Sequence, residues 1–431
     1  MKNIQTNKLF VASCLSLLVT SLSFGIRAGM LGQQAAHFQL DASELATIAA
    51  TAFWGFPLAV IVGGFVVDII GMKRLLVLAF IFHLVGIVLT IFATGYWTLF
   101  FSTLLIGIAN GTVEASCNPL VASLFTDNKT TKLNHFHLWF PAGLVIGTLV
   151  VFGLNSVLGH GVTPLPYWIS QVEIAVMIIP TLIYGWLFLK LDFPVTERVA
   201  SGVSTSDMYK ALVNPLFIFM IFCMFGTAIT ELFTNQWTGV LFSKMIDNPI
   251  LILTFVASIQ VLGRAFAAPI VHRLAPQGVL LISAILSAIG IYLFLHLDGN
   301  AIFLAAIVFG LGIAFFWPCM IGFVAENLPR TGAVGLNLMG GAGMLAVSLY
   351  MIFMGGHFDA LTLKHLPPGS NLTEYVKAAP GTPMAQALDQ AKNASAPDVL
   401  HTTSIIPIIL IVAFAGLVIY MKNRKKAALA N

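Results

Sequence analysis

Five charged residues stand inside apolar runs of this 431-residue chain: Arg27, Glu114, Glu173, Glu231 and Arg264. Burying an ionisable group in hydrocarbon is costly, so each is a functional candidate. Glu114 lies in Gly111-Thr112-Val113-Glu114-Ala115-Ser116-Cys117-Asn118-Pro119-Leu120-Val121. A carboxyl in a partly apolar cavity suits a proton carrier; the alternative is a structural Glu satisfied by backbone or an Arg. Glu231 lies in Thr230-Glu231-Leu232-Phe233-Thr234-Asn235-Gln236-Trp237. Asn235 and Gln236 can exchange hydrogen bonds with hydroxyls, and Trp237 can stack on the apolar face of a sugar ring. Trp237 also fits an interfacial belt. Gln260 and Arg264, one helical turn apart, share a face. Arg27 offers planar donors to an anionic or polyhydroxyl ligand, offsets Glu114, or sits at an outer mouth. His137, beside Trp139, Asn118, Trp317 and Asn337 complete the candidate binding set. Trp317-Pro318 predicts a kink, and the glycines after Asn337 also suit close helix packing. Glu173, nearer a helix end, is the weakest of the five.

These side chains need helices that cross a membrane. Hydrophobic residues make up 58% of the chain and charged residues 9%, against roughly 25% charged in soluble domains. Mean hydropathy is +0.94. That composition excludes disorder, a disulfide scaffold and a free nucleic-acid binder. A span needs about 20 apolar residues. Twelve spans are expected, near 8–36, 43–67, 74–94, 97–125, 133–158, 167–190, 212–243, 249–271, 279–297, 301–327, 333–354 and 403–421. The first is read as an uncleaved helix, since no small-residue cleavage site follows it. The four cysteines fall in apolar stretches and indicate no metal or disulfide framework.

The charges then order themselves. With both termini cytoplasmic, fifteen of the 21 Lys and Arg fall on the cytoplasmic side, four outside and two within spans. The net charge of +4 is therefore topology rather than a surface for acidic partners. A polar stretch at 191–211 divides the chain into six-span bundles, 1–190 and 212–431, the second carrying an extracytoplasmic loop at 355–402. Within that loop, Pro383–Asn393 suits a short surface helix. The halves match at an offset of 204: Leu75-Leu76 falls on Val279-Leu280, Gly86-Ile87 on Gly290-Ile291, Gly71 on Ala275 and Arg27 on Glu231.

The loop Gly63-Gly64-Phe65-Val66-Val67-Asp68-Ile69-Ile70-Gly71-Met72-Lys73-Arg74 resembles the signature loop of the major facilitator superfamily, with Ile69 in place of its usual Arg. The resemblance implies an all-α fold of two pseudo-symmetric six-helix bundles. It also implies a cytoplasmic gate built on Gly64, Asp68, Gly71, Lys73 and Arg74, with the partner of Asp68 in the opposite half. Independently, Asp68 ends its helix where the dipole disfavours an anion, so it needs a cation or another helix N-terminus. The Glu114-x-x-x-Asn118-Pro119 element, followed by Leu133-Asn134, is similar to the fucose–proton symporter branch, whose Glu helps carry the proton. That branch has a second carboxylate on span 1. Aligning His37-Phe38-Gln39-Leu40 puts Arg27 or Ala28 there instead.

The expectation is a secondary transporter of a small polar solute, with sugar or polyol uptake by proton symport through alternating access. Glu114 and Glu231 are the proton-coupling candidates. An organic-anion or metabolite exporter or uniporter, and a non-transporting membrane sensor, are the alternatives. No Walker loop, metal-ligand spacing or nucleophile elbow is present, so neither an enzyme nor a cofactor is expected, and the proton gradient drives transport. A monomer in a bacterial inner membrane, bound to lipid and solute and to no nucleic acid, completes the reading.

Overall fold

An apolar run in lipid can satisfy its backbone only within itself, as a helix. The computed structural model describes residues 4–40, 42–159, 166–236, 250–376, 378 and 381–430, and among them every regular element is helical. The first eight helices are α1 (Thr6–Phe38), α2 (Ala42–Ile70), α3 (Met72–Ile91), α4 (Tyr96–Leu124), α5 (Lys129–His137), α6 (Trp139–Leu158), α7 (Tyr167–Ala175) and α8 (Ile178–Lys190). Two short helices, α9 (Glu197–Ala200) and α10 (Thr205–Leu212), occupy the polar linker. Then follow α11 (Pro215–Ala228), a π-helical turn (Ile229–Phe233), α12 (Thr234–Gln236), α13 (Ile250–Ala265), α14 (Ala267–His296), α15 (Ile302–Ile313), α16 (Phe316–Asn327), α17 (Gly332–His365), α18 (Leu372–Val376) and α19 (Pro383–Ala430).

Eleven described helical stretches are long and apolar enough to cross a membrane, and a shorter apolar helix, Ile252–Ala265, lies where the eighth span is expected. That span is shortened by a break at Phe266. The following helix turns at Ala275, whose φ of 54° and ψ of 163° are not helical. The predicted interruption beside Trp317-Pro318 is present, between α15 and α16.

One expectation fails. The segment 355–402 is not a loop but largely helix: α17 runs on to His365, and α19 begins at Pro383 and continues unbroken into the last span. The alanines of 385–396 are strong helix formers, and polarity alone does not break a helix. The first buried turns of α19 pack at Leu388, Ala391, Ser395 and Val399.

The chain forms two compact units, neither one continuous stretch. One comprises Met1–Phe222, Val261–Pro276 and Pro318–Met344; the other comprises Cys223–Gln260, Gln277–Trp317 and Leu345–Asn431. In the first, α4 packs against α1, α2 and α3, and α1 also packs against α6, α7 and α8. Positions matched at the offset of 204 play the same packing roles, each within its own unit. Leu76 and Leu280 are fully buried. A Cβ on Gly86 would lie 2.6 Å from Ile106 Cγ1, and one on Gly290 would lie 2.6 Å from the Phe309 Cα. Both glycines admit the next helix of their own unit.

Candidate functional site

Glu114 sits on α4 and is 3% exposed. Asn118, one turn on, donates from Nδ2 to Glu114 Oε1 at 3.1 Å. The other end of that amide, Oδ1, lies 3.0 Å from His137 Nε2. Since Oδ1 can only accept, Nε2 carries the hydrogen. His137 Nε2 also stands 3.8 Å from Glu114 Oε1. Carboxyl, amide and imidazole thus form one buried triad, built from α4 and the end of α5.

Two prolines explain how further side chains join it. A proline lacks the N–H that would bond the carbonyl four residues earlier. Pro141 therefore frees the carbonyl of His137, and Arg264 Nη1 donates to it at 2.7 Å. Pro119 frees the carbonyl of Ala115, and Asn337 Nδ2 donates to it at 2.9 Å. Arg264 is 2% exposed and Asn337 1%. Asn337 also packs on Gly64, where a Cβ would come within 2.7 Å of the Asn337 Cβ.

In the other unit, Glu231 lies in the π-helical turn, and Gln260 Nε2 donates to its Oε1 at 3.0 Å. A π-turn widens the helix by one residue, a feature frequent at functional sites. Asn235 is half-buried one turn beyond. The side chain of Gln236 and the whole of Trp237 lie outside the described residues. Trp317 is 8% exposed. Arg27 is half-buried on α1 and makes no hydrogen bond or ion pair among the described residues.

The loop after α2 has a different geometry from the expected one. Asp68 is held by the linker, not by a helix of the second half. Arg198 Nε donates to its Oδ2 at 2.6 Å, and Thr196 Oγ1 donates to its Oδ1 at 2.5 Å. Lys73 Nζ donates to the carbonyls of Leu189 and Leu191 at 3.0 and 2.8 Å, closing the end of α8. Arg74 is exposed. Gly71 has φ 86° and ψ 148°, a conformation open almost only to glycine.

Sequence reasoning classed Glu326 with Asp68 as a gate residue at a span end and missed the partners Lys129, Thr130 and Glu197. Lys129 Nζ contacts Glu197 Oε1 at 2.7 Å and donates to the carbonyl of Ala325 at 3.1 Å. Glu326 Oε1 accepts from the Thr130 amide at 2.9 Å and its hydroxyl at 2.6 Å. It also missed a buried chain of donors in the first unit. Tyr184 Oη and His83 Nδ1 are 2.7 Å apart, His83 Nε2 and Asn110 Oδ1 are 2.7 Å apart, and Asn110 Nδ2 donates to Ser23 Oγ at 3.0 Å. The available signal was a His and an Asn alone in apolar runs.

The sequence model described as Major Facilitator Superfamily matches residues 9–356. Facilitated glucose transporter member 10 of solute carrier family 2, from Danio rerio, is 26% identical over 171 residues, 40% of this chain and 32% of that protein. The chain thus spans about a third of that relative's length. The fold is similar to that of the Escherichia coli fucose:proton symporter FucP, with a TM-score of 0.66 at 15% identity over 93% of this chain and 98% of the other. It is also similar to the E. coli proton:xylose symporter XylE, with a TM-score of 0.69 at 13% identity over 94% and 96%.

Proposed function

Since the chain belongs to the Major Facilitator Superfamily, we propose that this transporter takes up a sugar or polyol by proton symport through alternating access. The Glu114–Asn118–His137 triad carries the reading: a buried carboxyl with an amide and an imidazole in reach can gain and lose a proton without moving far. Glu231 and Gln260 supply the acceptor and donor groups that hydroxyls require, and Asn235, Gln236 and Trp237 follow Glu231 in the sequence. Arg264 and Asn337 hold freed carbonyls, and this supports reading them as organisers of the triad and its helix. The sugar substrates named for the relative and for the two symporters support the choice of solute.

The bundles are 1–190 and 212–431, joined by 191–211, and both termini face the cytoplasm of a bacterial cell. Asp68 and its linker partners form the cytoplasmic latch. The protein works as a monomer, driven by the proton gradient and without a cofactor. The test is purified protein in liposomes, assayed for fucose, xylose, glucose and sorbitol. The expected result is uphill accumulation under an inward proton gradient, collapsed by a protonophore. Glu114→Gln is expected to retain solute exchange while losing uphill accumulation. Undiminished uphill transport in that variant removes Glu114 from coupling. A second reading, exchange of an organic anion, is favoured by Arg27, whose guanidinium has no described partner. Counterflow of carboxylates with no counterflow of sugars would select it.

A further inference from the structure

Glu173 lies on α7, apart from both clusters. It is fully buried, and among the described residues neither carboxyl oxygen has a hydrogen-bond partner. A carboxylate removed from water needs a cation or donors. The helices packed against α7 are α1, α3, α6 and α8. Their ionisable groups are Lys8, Cys14, Arg27 and His37 on α1, Lys73, Arg74 and His83 on α3, and Tyr184 and Lys190 on α8; α6 has none. None of these is paired with Glu173. Lys73 is held by two carbonyls, His83 and Tyr184 bond each other, and His37 stacks on Tyr167 of α7 itself. The species that fits such a place is the neutral acid.

A polar path leads away from it. Ser170, one turn back on α7, shares the face of Glu173. Its hydroxyl donates to Gln33 Oε1, and Gln33 Nε2 donates to Asn155 Oδ1 at 3.2 Å. Ser170 is fully buried, Gln33 and Asn155 are half-buried, and the next residue, Ser156, is exposed. Hydrogen-bonded groups thus run from Ser170, one helical turn from the acid, to the surface. Glu173 itself is not bonded to Ser170, so a side-chain turn must close that gap for a proton to pass.

We infer that Glu173 is a proton-binding site in its own right, distinct from Glu114, which holds its proton within the membrane and exchanges it with bulk water along Ser170, Gln33 and Asn155. The inference concerns the purified chain and stands whether or not a sugar is transported. Infrared spectra of the full chain in lipid nanodiscs test it. A protonated-carboxyl band is expected that Glu173→Gln removes, that shifts when the sample is moved to D2O, and that shifts more slowly in Ser170→Ala. Coincident spectra of Glu173→Gln and the unaltered protein overturn the site, and a band that ignores D2O overturns the exchange path. A second measurement needs no variant. Dicyclohexylcarbodiimide adds the carboxyl oxygen to its central carbon as the acid's proton passes to a nitrogen. The acyl group then migrates to nitrogen, giving a stable acylurea. A mass gain of one carbodiimide is expected on the peptide carrying Glu173, and none from a water-soluble carbodiimide. An unmodified Glu173 in the apolar reagent overturns the proposal, independently of any flux result.

Discussion

At Ala115 and His137 one backbone defect recurs. Each carbonyl loses its helical donor to a proline four residues on, and each takes a side-chain donor instead, from Asn337 and Arg264. An unpaired buried carbonyl costs about 1–3 kcal/mol. The simpler pair makes a clean test. Asn337→Ala should lower stability by about that amount, seen as a lower Tm of the purified protein. In a Pro119→Ala background the backbone N–H returns, and the same Asn337→Ala change should cost much less. Equal losses in the two backgrounds would show that the carbonyl is not what Asn337 serves. The prolines were visible in the sequence, but their partners were not, since they lie 222 and 127 residues away. Asn118 and Glu114 meet because they are one turn apart. The amide that links Glu114 to His137 depends on how α5 meets α4, which no local pattern encodes.

Helix ends carry the second lesson. Gly71 and Ala275 are matched at the offset of 204, and both adopt positive φ, 86° and 54°. The repeat thus reaches down to the backbone angle of one turn residue. Ala275 has ψ 163° as well, a region essentially reserved for glycine and costing about 1–3 kcal/mol otherwise. Ala275→Gly should relieve part of that strain and raise Tm, whereas Gly71→Ala should lower it. An unchanged Tm in Ala275→Gly would mean that the turn is not strained. The register of α3 against α14 was legible because apolar periodicity and paired glycines survive in both. The helical course of 355–402 was not. Its polar residues suggested a loop, while its alanines and the packing at Ala391 and Val399 make it helix. The partner of Asp68 was misplaced for a related reason. The polarity of 191–211 marks a linker between the halves, yet its Thr196 and Arg198 are the groups that hold the carboxylate.

For the molecule as a transporter, the proposed latch rests on the linker. Thr196, Glu197 and Arg198 together engage Asp68 at the end of α2 and Lys129 at the start of α5, while Lys129 and Thr130 also hold Ala325 and Glu326 of α16. Alternating access needs contacts that form in one state and break in another, at a cost the solute and proton can meet. The two ion pairs differ in worth. Lys129–Glu197 joins a 6% exposed ammonium to a 33% exposed carboxylate, so water screens it more than a pair buried on both sides. Asp68–Arg198 is 6% and 11% exposed, and removing one partner of a buried pair costs about 3–5 kcal/mol. The latch therefore depends mainly on Arg198, whose stem also lies against Gly332, where a Cβ would come within 3.0 Å of Arg198 Cδ. Arg198→Ala should open this end of α16. Cys319, fully buried nearer the other end of α16 beside Asn134, should then react faster with a maleimide as the helix loosens, as read by peptide mass spectrometry. Lys129→Ala should change that rate less. The exchange Asp68→Arg with Arg198→Asp should return the rate toward that of the unaltered protein, because the attraction is restored with its sign reversed. If Cys319 stays as protected in Arg198→Ala as before, the linker does not latch the protein, and the gate must be sought among the contacts of Thr130 and Glu326.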